Sequence, residues 1–94
     1  MKLVWSAFSL FDRDRIYEFI ESESPRNAAI VDKRIAESAE LLLDFPDSGR
    51  IGRVAGTREL VILRTPYVAA YVVIGDVVRV LRILHGAQLW PDEF

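Results

Sequence analysis

Arginine is concentrated in one stretch of the chain, and its guanidinium group is well suited to binding phosphate. Between residues 50 and 82 only two carboxylates, Glu59 and Asp76, offset six arginines. A planar guanidinium donates two parallel hydrogen bonds to a phosphate or carboxylate, which a lysine cannot do. The stretch therefore predicts a basic face that binds an anionic target, formed by Arg50, Arg53, Arg58, Arg64, Arg79 and Arg82.

The densest part of this stretch runs from Gly49 to Arg58 and contains three glycines and three arginines. Glycine allows backbone N–H groups to approach an anion closely, and arginine can then clamp it. No helix is predicted after the glycines, which excludes a nucleotide-binding P-loop. A turn-rich connection with solvated charges explains the same composition, and both interpretations stay open.

His85 is the only histidine, and it follows the last apolar run of the chain. A histidine at this place could serve as a general acid or base, because imidazole titrates near neutral pH. A structural histidine bonded to the backbone is the alternative. Nothing in the sequence resembles the turn that carries a nucleophilic serine, so a serine–histidine–aspartate triad is not indicated.

Tyr67 and Tyr71 lie four residues apart in an apolar run, so a strand places both on one face. They could stack on bases or bond a phosphate. Packing against neighbouring strands is the more usual role and is favoured here.

Composition excludes several classes of site and of protein. The chain has no cysteine, so it has no disulfide framework, thiolate metal site or cysteine nucleophile. A net charge of −2 argues against a general nucleic-acid coat, although it permits a locally basic face. The 94 residues are expected to form one domain, residues 1–94. No export signal or membrane-spanning run is visible, which predicts a cytoplasmic protein.

Two helices are predicted in the acidic first half, between about residues 7 and 44. Ser6 can cap the first helix, and Ser24 followed by Pro25 is typical of a second helix start. The linker at 22–24 is short, which predicts an antiparallel hairpin. The first helix is expected to bury the stripe Phe8, Phe11, Ile16, Phe19 and Ile20, and the second the stripe Ala28, Val31, Ile35, Ala39, Leu42 and Leu43.

The second half is rich in Val, Ile, Leu and Tyr and predicts three strands at about 59–63, 67–74 and 77–84. Short connections predict an antiparallel meander over about 57–85, and residues 2–5 form a further candidate strand. The tail at 86–94 is expected to be irregular, with Leu89 and Trp90 packing back. The predicted fold is α+β, a helical hairpin packed on one face of a small antiparallel sheet, with the arginines on the open face.

The order of these features resembles the RelE/ParE superfamily of toxins from bacterial type II toxin–antitoxin modules. The resemblance covers nearly the whole chain. It rests on Trp5-Ser6, Ser24-Pro25 with Ala28-Ala29, Leu42 to Pro46, Gly49-Arg50, Gly56 to Leu60, Pro66-Tyr67 with Tyr71, Arg82 to Gln88 and Trp90-Pro91. It implies a growth-inhibiting toxin with the two-layer fold predicted above and a cognate antitoxin as partner.

Two kinds of target are implied by the resemblance. RelE-like members cut mRNA in the ribosomal A site; by position, Arg58 would orient the scissile phosphate, Arg82 would stabilise developing charge, and His85 would be the general acid or base. Arg53 would be an auxiliary phosphate contact. ParE-like members poison DNA gyrase and need no catalytic set. No small-molecule cofactor is implied, and operator DNA would be bound only through the antitoxin.

The ParE-like branch is favoured because RelE-like nucleases are usually strongly basic, whereas this chain is net acidic and has only two lysines, Lys2 and Lys33. The mRNA endonuclease stays open as the alternative, as does an inactive member that binds only its antitoxin. The antitoxin is expected to fold on binding and to cover exposed apolar ridges near the helices or around Leu89 and Trp90.

Overall fold

The chain contains two helices and five strands, and the computed structural model describes all residues from 1 to 94. The helices lie between the first and second strands, as the pattern predicts. The elements are β1 (Lys2–Trp5), α1 (Ala7–Glu21), α2 (Pro25–Leu41), β2 (Arg50–Ile51), β3 (Arg58–Val61), β4 (Tyr67–Ile74) and β5 (Val77–His85).

The five strands form one sheet in the order β1-β5-β4-β3-β2. The predicted antiparallel meander of β3, β4 and β5 is confirmed. The sheet as a whole is mixed rather than antiparallel, because β1 pairs with β5 in parallel. The short strand β2 was not predicted; it lies inside the glycine- and arginine-rich segment and pairs Arg50 with Glu59 of β3.

Both predicted helix caps are present. The Ser6 hydroxyl accepts a hydrogen bond from Ser9 N–H, and the Ser24 hydroxyl accepts one from Asn27 N–H. A two-point ion pair between Arg13 and Asp32 ties the helices together at 2.9–3.0 Å. Neither helix is long and apolar enough to cross a membrane.

The buried face of α1 differs from the prediction. Ile16 and Ile20 pack against the core as expected, and Ser9 is fully buried. Phe8, Phe11 and Phe19, predicted to be buried, are 70%, 57% and 76% exposed. Ser9, rather than a phenyl ring, occupies the fully buried position of α1. The prediction failed because it took hydrophobic spacing to mark the core, although an apolar helix face can equally remain unpartnered.

The core lies between the sheet and the two helices, where the predicted stripe of α2 is buried at Ala28, Ile35, Ala39 and Leu42. Side chains from the middle strands meet it from the other side, and the largest cluster comprises Ile35, Ala39, Ile62, Tyr67, Ala69, Val80 and Ile83. The opposite face of the sheet is not fully open. Trp90 of the tail packs there against Val68, Ala70 and Leu84.

A bulge in β5 changes which side chains share a face. Ala70 of β4 pairs with Arg82, whereas the next residue, Tyr71, pairs with Val80, so Leu81 is the extra residue. Val80 and Ile83 consequently point into the same core cluster. Uninterrupted alternation along 77–84 predicts instead that Val80 shares a face with Arg82, and Arg79 with Ile83; the bulge makes that prediction wrong.

Gly49 is fixed by a buried tyrosine. Its N–H donates to the Tyr71 hydroxyl at 2.9 Å, and that hydroxyl donates to the Pro46 carbonyl at 2.7 Å. A methyl group on Gly49 would lie 2.5 Å from the Tyr71 hydroxyl and 2.9 Å from the Glu59 carbonyl. Only glycine therefore fits where the chain enters β2.

Replacing Gly49 by alanine is expected to lower the free energy of unfolding by about 1–3 kcal/mol, because the extra carbon must displace buried backbone. Urea denaturation measures this. Gly86→Ala is the matched control, because a methyl group there meets its neighbours at ordinary distances of 3.5 and 3.6 Å. Equal effects of the two substitutions would contradict the assigned close contact.

Candidate functional site

Arg82 is held by a carboxylate from α1. Its Nε and Nη2 donate to the two oxygens of Asp12 at 2.8 and 3.0 Å. The same carboxylate accepts the backbone N–H of Ile83 at 2.9 Å. β1 ends opposite Val80, so beyond that point the edge of β5 has no strand beside it. Asp12 therefore accepts the backbone N–H of Ile83, which a longer β1 would otherwise have paired.

The carboxylate of Asp12 offsets the charge of Arg82. The hydrogen bonds that Arg82 donates to Asp12 raise the pKa of Arg82 more than burial lowers it, so the guanidinium stays charged. Its two-point donor geometry is already filled by the carboxylate. An anionic ligand would have to compete with Asp12 for this arginine.

His85 ends β5 and lies beside Arg82 in a cleft of about 300 Å³. The imidazole Nδ1 accepts the N–H of Ala87 at 3.1 Å, and the ring stands edge-on to Tyr67 with 5.7 Å between centroids. Because Nδ1 is an acceptor, a neutral His85 carries its proton on Nε2. Arg15 and Gln88 also line this cleft.

The second group centres on Glu59, whose side chain is only 2% exposed. Five hydrogen bonds reach this carboxylate, two from the Arg50 side chain and three from the side chain and backbone N–H of Arg53, at 2.7–3.2 Å. The Arg53 guanidinium also stacks on Trp90, 3.7 Å from the ring centroid. Glu59 thus joins β2, the following loop and the tail.

The surroundings of Glu59 favour its charged form. Burial alone would raise the pKa of this carboxyl, but the hydrogen bonds from Arg53 and Arg50 outweigh it, and the pKa lies below the ordinary value of 4.5. Arg50 and Arg53, predicted to contact phosphate, therefore already share an anionic partner within the chain.

The remaining predicted arginines are Arg58, Arg64 and Arg79. Arg58 is on the covered face of the sheet; its Nη1 donates to the Gly49 carbonyl at 2.8 Å, and Asp47 lies 3.9 Å from its Nε. Arg64 occupies the turn after β3 with φ +64°. Arg79 is exposed and lines a cleft together with Arg82. The expected basic face is therefore only partly present: Arg58 and Arg64 lie off it, while Arg50, Arg53 and Arg82 are bound to carboxylates of the chain.

The two predicted tyrosines are buried, and burial raises the pKa of both Tyr67 and Tyr71. No group of three side chains suited to bind a metal ion comes together. Sequence reasoning missed Asp12 and Glu59. The available signal for Glu59 was a lone carboxylate at the start of an apolar strand next to paired arginines.

Replacing Glu59 by glutamine is expected to lower the free energy of unfolding at neutral pH by about 1.5–3 kcal/mol, because the charged hydrogen bonds are lost. The folded-state pKa of Glu59 is lowered, so its contribution is fully present above the unfolded pKa and disappears as pH falls through the folded value. Urea denaturation from pH 7 to pH 3 should therefore show the two proteins converging in acid. Glu40→Gln, at an exposed site, is the control; a difference between Glu59→Gln and the unmodified chain that persists unchanged to pH 3 would contradict this role.

The chain is similar over most of its length to a toxin family and to individual proteins named as toxins. Residues 3–90 match the family described as ParE toxin of type II toxin-antitoxin system, parDE. Y4kP, a candidate toxin of Sinorhizobium fredii, is 38% identical over 97% of this chain and 94% of its own length. Toxin RelE2 of Caulobacter vibrioides is 35% identical over 94% of this chain and 98% of its own.

A solved structure agrees with these matches. A chain of the chromosomal ParDE system from P. aeruginosa superposes with a TM-score of 0.79 at 30% identity, covering 88% of this chain and 92% of that one. The fold and the sequence therefore identify this chain as a member of the ParE toxin family of type II toxin–antitoxin systems.

Proposed function

We propose that this chain inhibits growth from the cytoplasm by poisoning DNA gyrase, and that a cognate antitoxin neutralises it. The observation that carries the proposal is that Arg58, which a nuclease would need at the scissile phosphate, lies apart from His85. Arg58 pairs across from Tyr71 and His85 across from Tyr67, four residues apart along β4. That separation is about 13 Å along the strand, too far for both side chains to act on one phosphate.

The pairing of Arg82 with Asp12 supports the same proposal. A group that stabilises developing charge should be free to bind it. Here the guanidinium already donates both hydrogen bonds to a carboxylate. A toxin that acts by binding its target needs no such free group.

Ribosome-dependent mRNA cleavage is the second candidate, because Tyr67, Arg82 and His85 share one cleft. The Caulobacter relative carries the name RelE2.

An inactive protein that only binds its antitoxin is a third candidate, and growth arrest on induction separates it from the other two.

The antitoxin is proposed to cover the exposed phenyl face of α1. Phe8, Phe11 and Phe19 recur at helical spacing on solvent-exposed positions, and a cavity lined only by Ala7, Phe8 and Phe11 lies on this face. Exposed aromatic rows of this kind are typical of protein interfaces. Leu89, 96% exposed, stays a proposed contact, while Trp90 would act by holding the tail in place.

Replacing His85 by alanine is expected to leave growth arrest and gyrase inhibition nearly unchanged. Supercoiling of relaxed plasmid by purified gyrase, titrated with each protein, is the measurement. Loss of a general acid or base would instead reduce the activity by about 10²–10⁴-fold.

Primer extension on mRNA from induced cells is the companion assay. Two results together would contradict gyrase poisoning and support the nuclease. They are normal supercoiling at excess toxin, and new codon-phased 5′ ends that are absent in the His85→Ala strain.

Replacing Phe11 by aspartate is expected to weaken antitoxin binding by about tenfold or more, because a central aromatic contact is lost and a charge is buried in its place. Titration calorimetry with the protein encoded beside the toxin gene measures the affinity. Leu63→Asp, at a 76% exposed leucine in the turn after β3, is the matched control. Equal weakening by both substitutions would remove the phenyl face from the proposed interface.

A further inference from the structure

The outer edge of β1 carries backbone groups that no strand of the chain pairs. β1 is the first strand of the sheet order and has β5 on one side only. The N–H groups of Lys2 and Ser6 donate to the carbonyls of Asp76 and Val80, so these residues face β5. Because alternate residues of a strand direct their backbone groups to opposite sides, Leu3 and Trp5 direct theirs outward.

A broad cleft of about 640 Å³ adjoins this edge on the helix side. Leu3 of β1 forms one wall, and Leu41 and Leu43 at the end of α2 form the other. Leu41 is 58% exposed, and Phe45, which follows, is 62% exposed. A strand added beside β1 would direct every second side chain into this apolar cleft.

The rim of the cleft is acidic. Glu37, Glu40 and Asp44 line it together with the leucines. Glu37 has a partner in Lys33, 3.6 Å away, but Glu40 and Asp44 form no ion pair in the chain. Lys2 extends from the opposite face of β1, since neighbouring residues of a strand alternate. A segment that binds here therefore contacts the unpaired carboxylates of Glu40 and Asp44 beside an apolar surface.

We propose that the outer edge of β1 binds an extended, basic segment of a partner protein, which adds a sixth strand to the sheet. Its backbone pairs with Leu3 and Trp5, one apolar side chain enters the cleft between Leu3 and Leu41, and flanking lysine or arginine side chains pair with Glu40 and Asp44. Backbone pairing supplies affinity, and the charged and apolar pockets supply selectivity.

The charge pattern disfavours a second copy of the chain as the occupant. Pairing two β1 edges would bring two sets of Glu40 and Asp44 together without intervening cations. Like charges placed together oppose association. The surface is also separate from the phenyl face of α1, so its use does not depend on the identity of the toxin's target.

The probe is a seven-residue threonine peptide with lysine, leucine and lysine at its second, fourth and sixth positions, so that one face carries all three. Amide hydrogen exchange of the full chain, followed by NMR, is the measurement. Saturating peptide is expected to slow exchange of the Leu3 and Trp5 amides about tenfold or more, because exchange requires the added strand to leave.

Two altered peptides test the mechanism on the unmodified protein. Glutamate in place of both lysines should abolish binding, and backbone N-methylation on the pairing edge should remove the protection of Leu3 and Trp5. The charge-reversed double variant Glu40→Lys with Asp44→Lys should weaken the basic peptide about tenfold or more, whereas Glu18→Lys with Glu21→Lys on α1 should not.

Several outcomes would overturn the proposal. They are equal binding of the acidic and basic peptides, protection that survives N-methylation, and binding that leaves the Leu3 and Trp5 amides exchanging freely. Protection of these amides in a dimer of the chain alone would also overturn it, because the occupant would then be a second copy. Because the peptide comparisons use the unmodified chain, they remain decisive even if a substituted variant fails to fold.

Discussion

Ion pairs with two carboxylates determine where three arginines of this small toxin lie and which of their hydrogen-bond donors remain free. Asp12 holds Arg82 against α1, and Glu59 holds Arg50 and Arg53 against the tail-side face of the sheet. A guanidinium can leave water for a packed surface only when its donors are satisfied, so each pairing also joins two elements of the fold. Four of the six arginines between residues 50 and 82 therefore have a carboxylate partner within the chain.

The two-layer fold could be predicted from the sequence because its signals are local. Serine caps, Ser24-Pro25 and the runs of β-branched residues predicted the helices and the three-strand meander to within about three residues at each end. The parallel partner of β5 and the strand Arg50–Ile51 depend on pairing between distant segments. Short strands of this kind have little periodicity of their own and are recognised only in the assembled sheet.

The candidate site was less predictable, for two physical reasons. The extra residue Leu81 shifts the alternation of β5, so Val80 and Arg82, although two residues apart, lie on opposite faces of the sheet. The positions of Asp12 and Glu59 also became informative only in three dimensions, since a carboxylate attracts whichever arginines the fold brings near it. Hydrophobic spacing likewise marked the phenyl row of α1 correctly as one face, but could not tell whether that face meets the core or a partner.

The stacking of Arg53 on Trp90 couples the tail to the sheet. The indole ring shields Val68, Ala70 and Leu84, the aliphatic cluster on the sheet face opposite the helices. Loss of the indole would uncover that cluster and release the Arg53 stack at the same time. One aromatic ring thus keeps an otherwise open patch of the sheet out of water, and the guanidinium that covers the ring is itself held by Glu59.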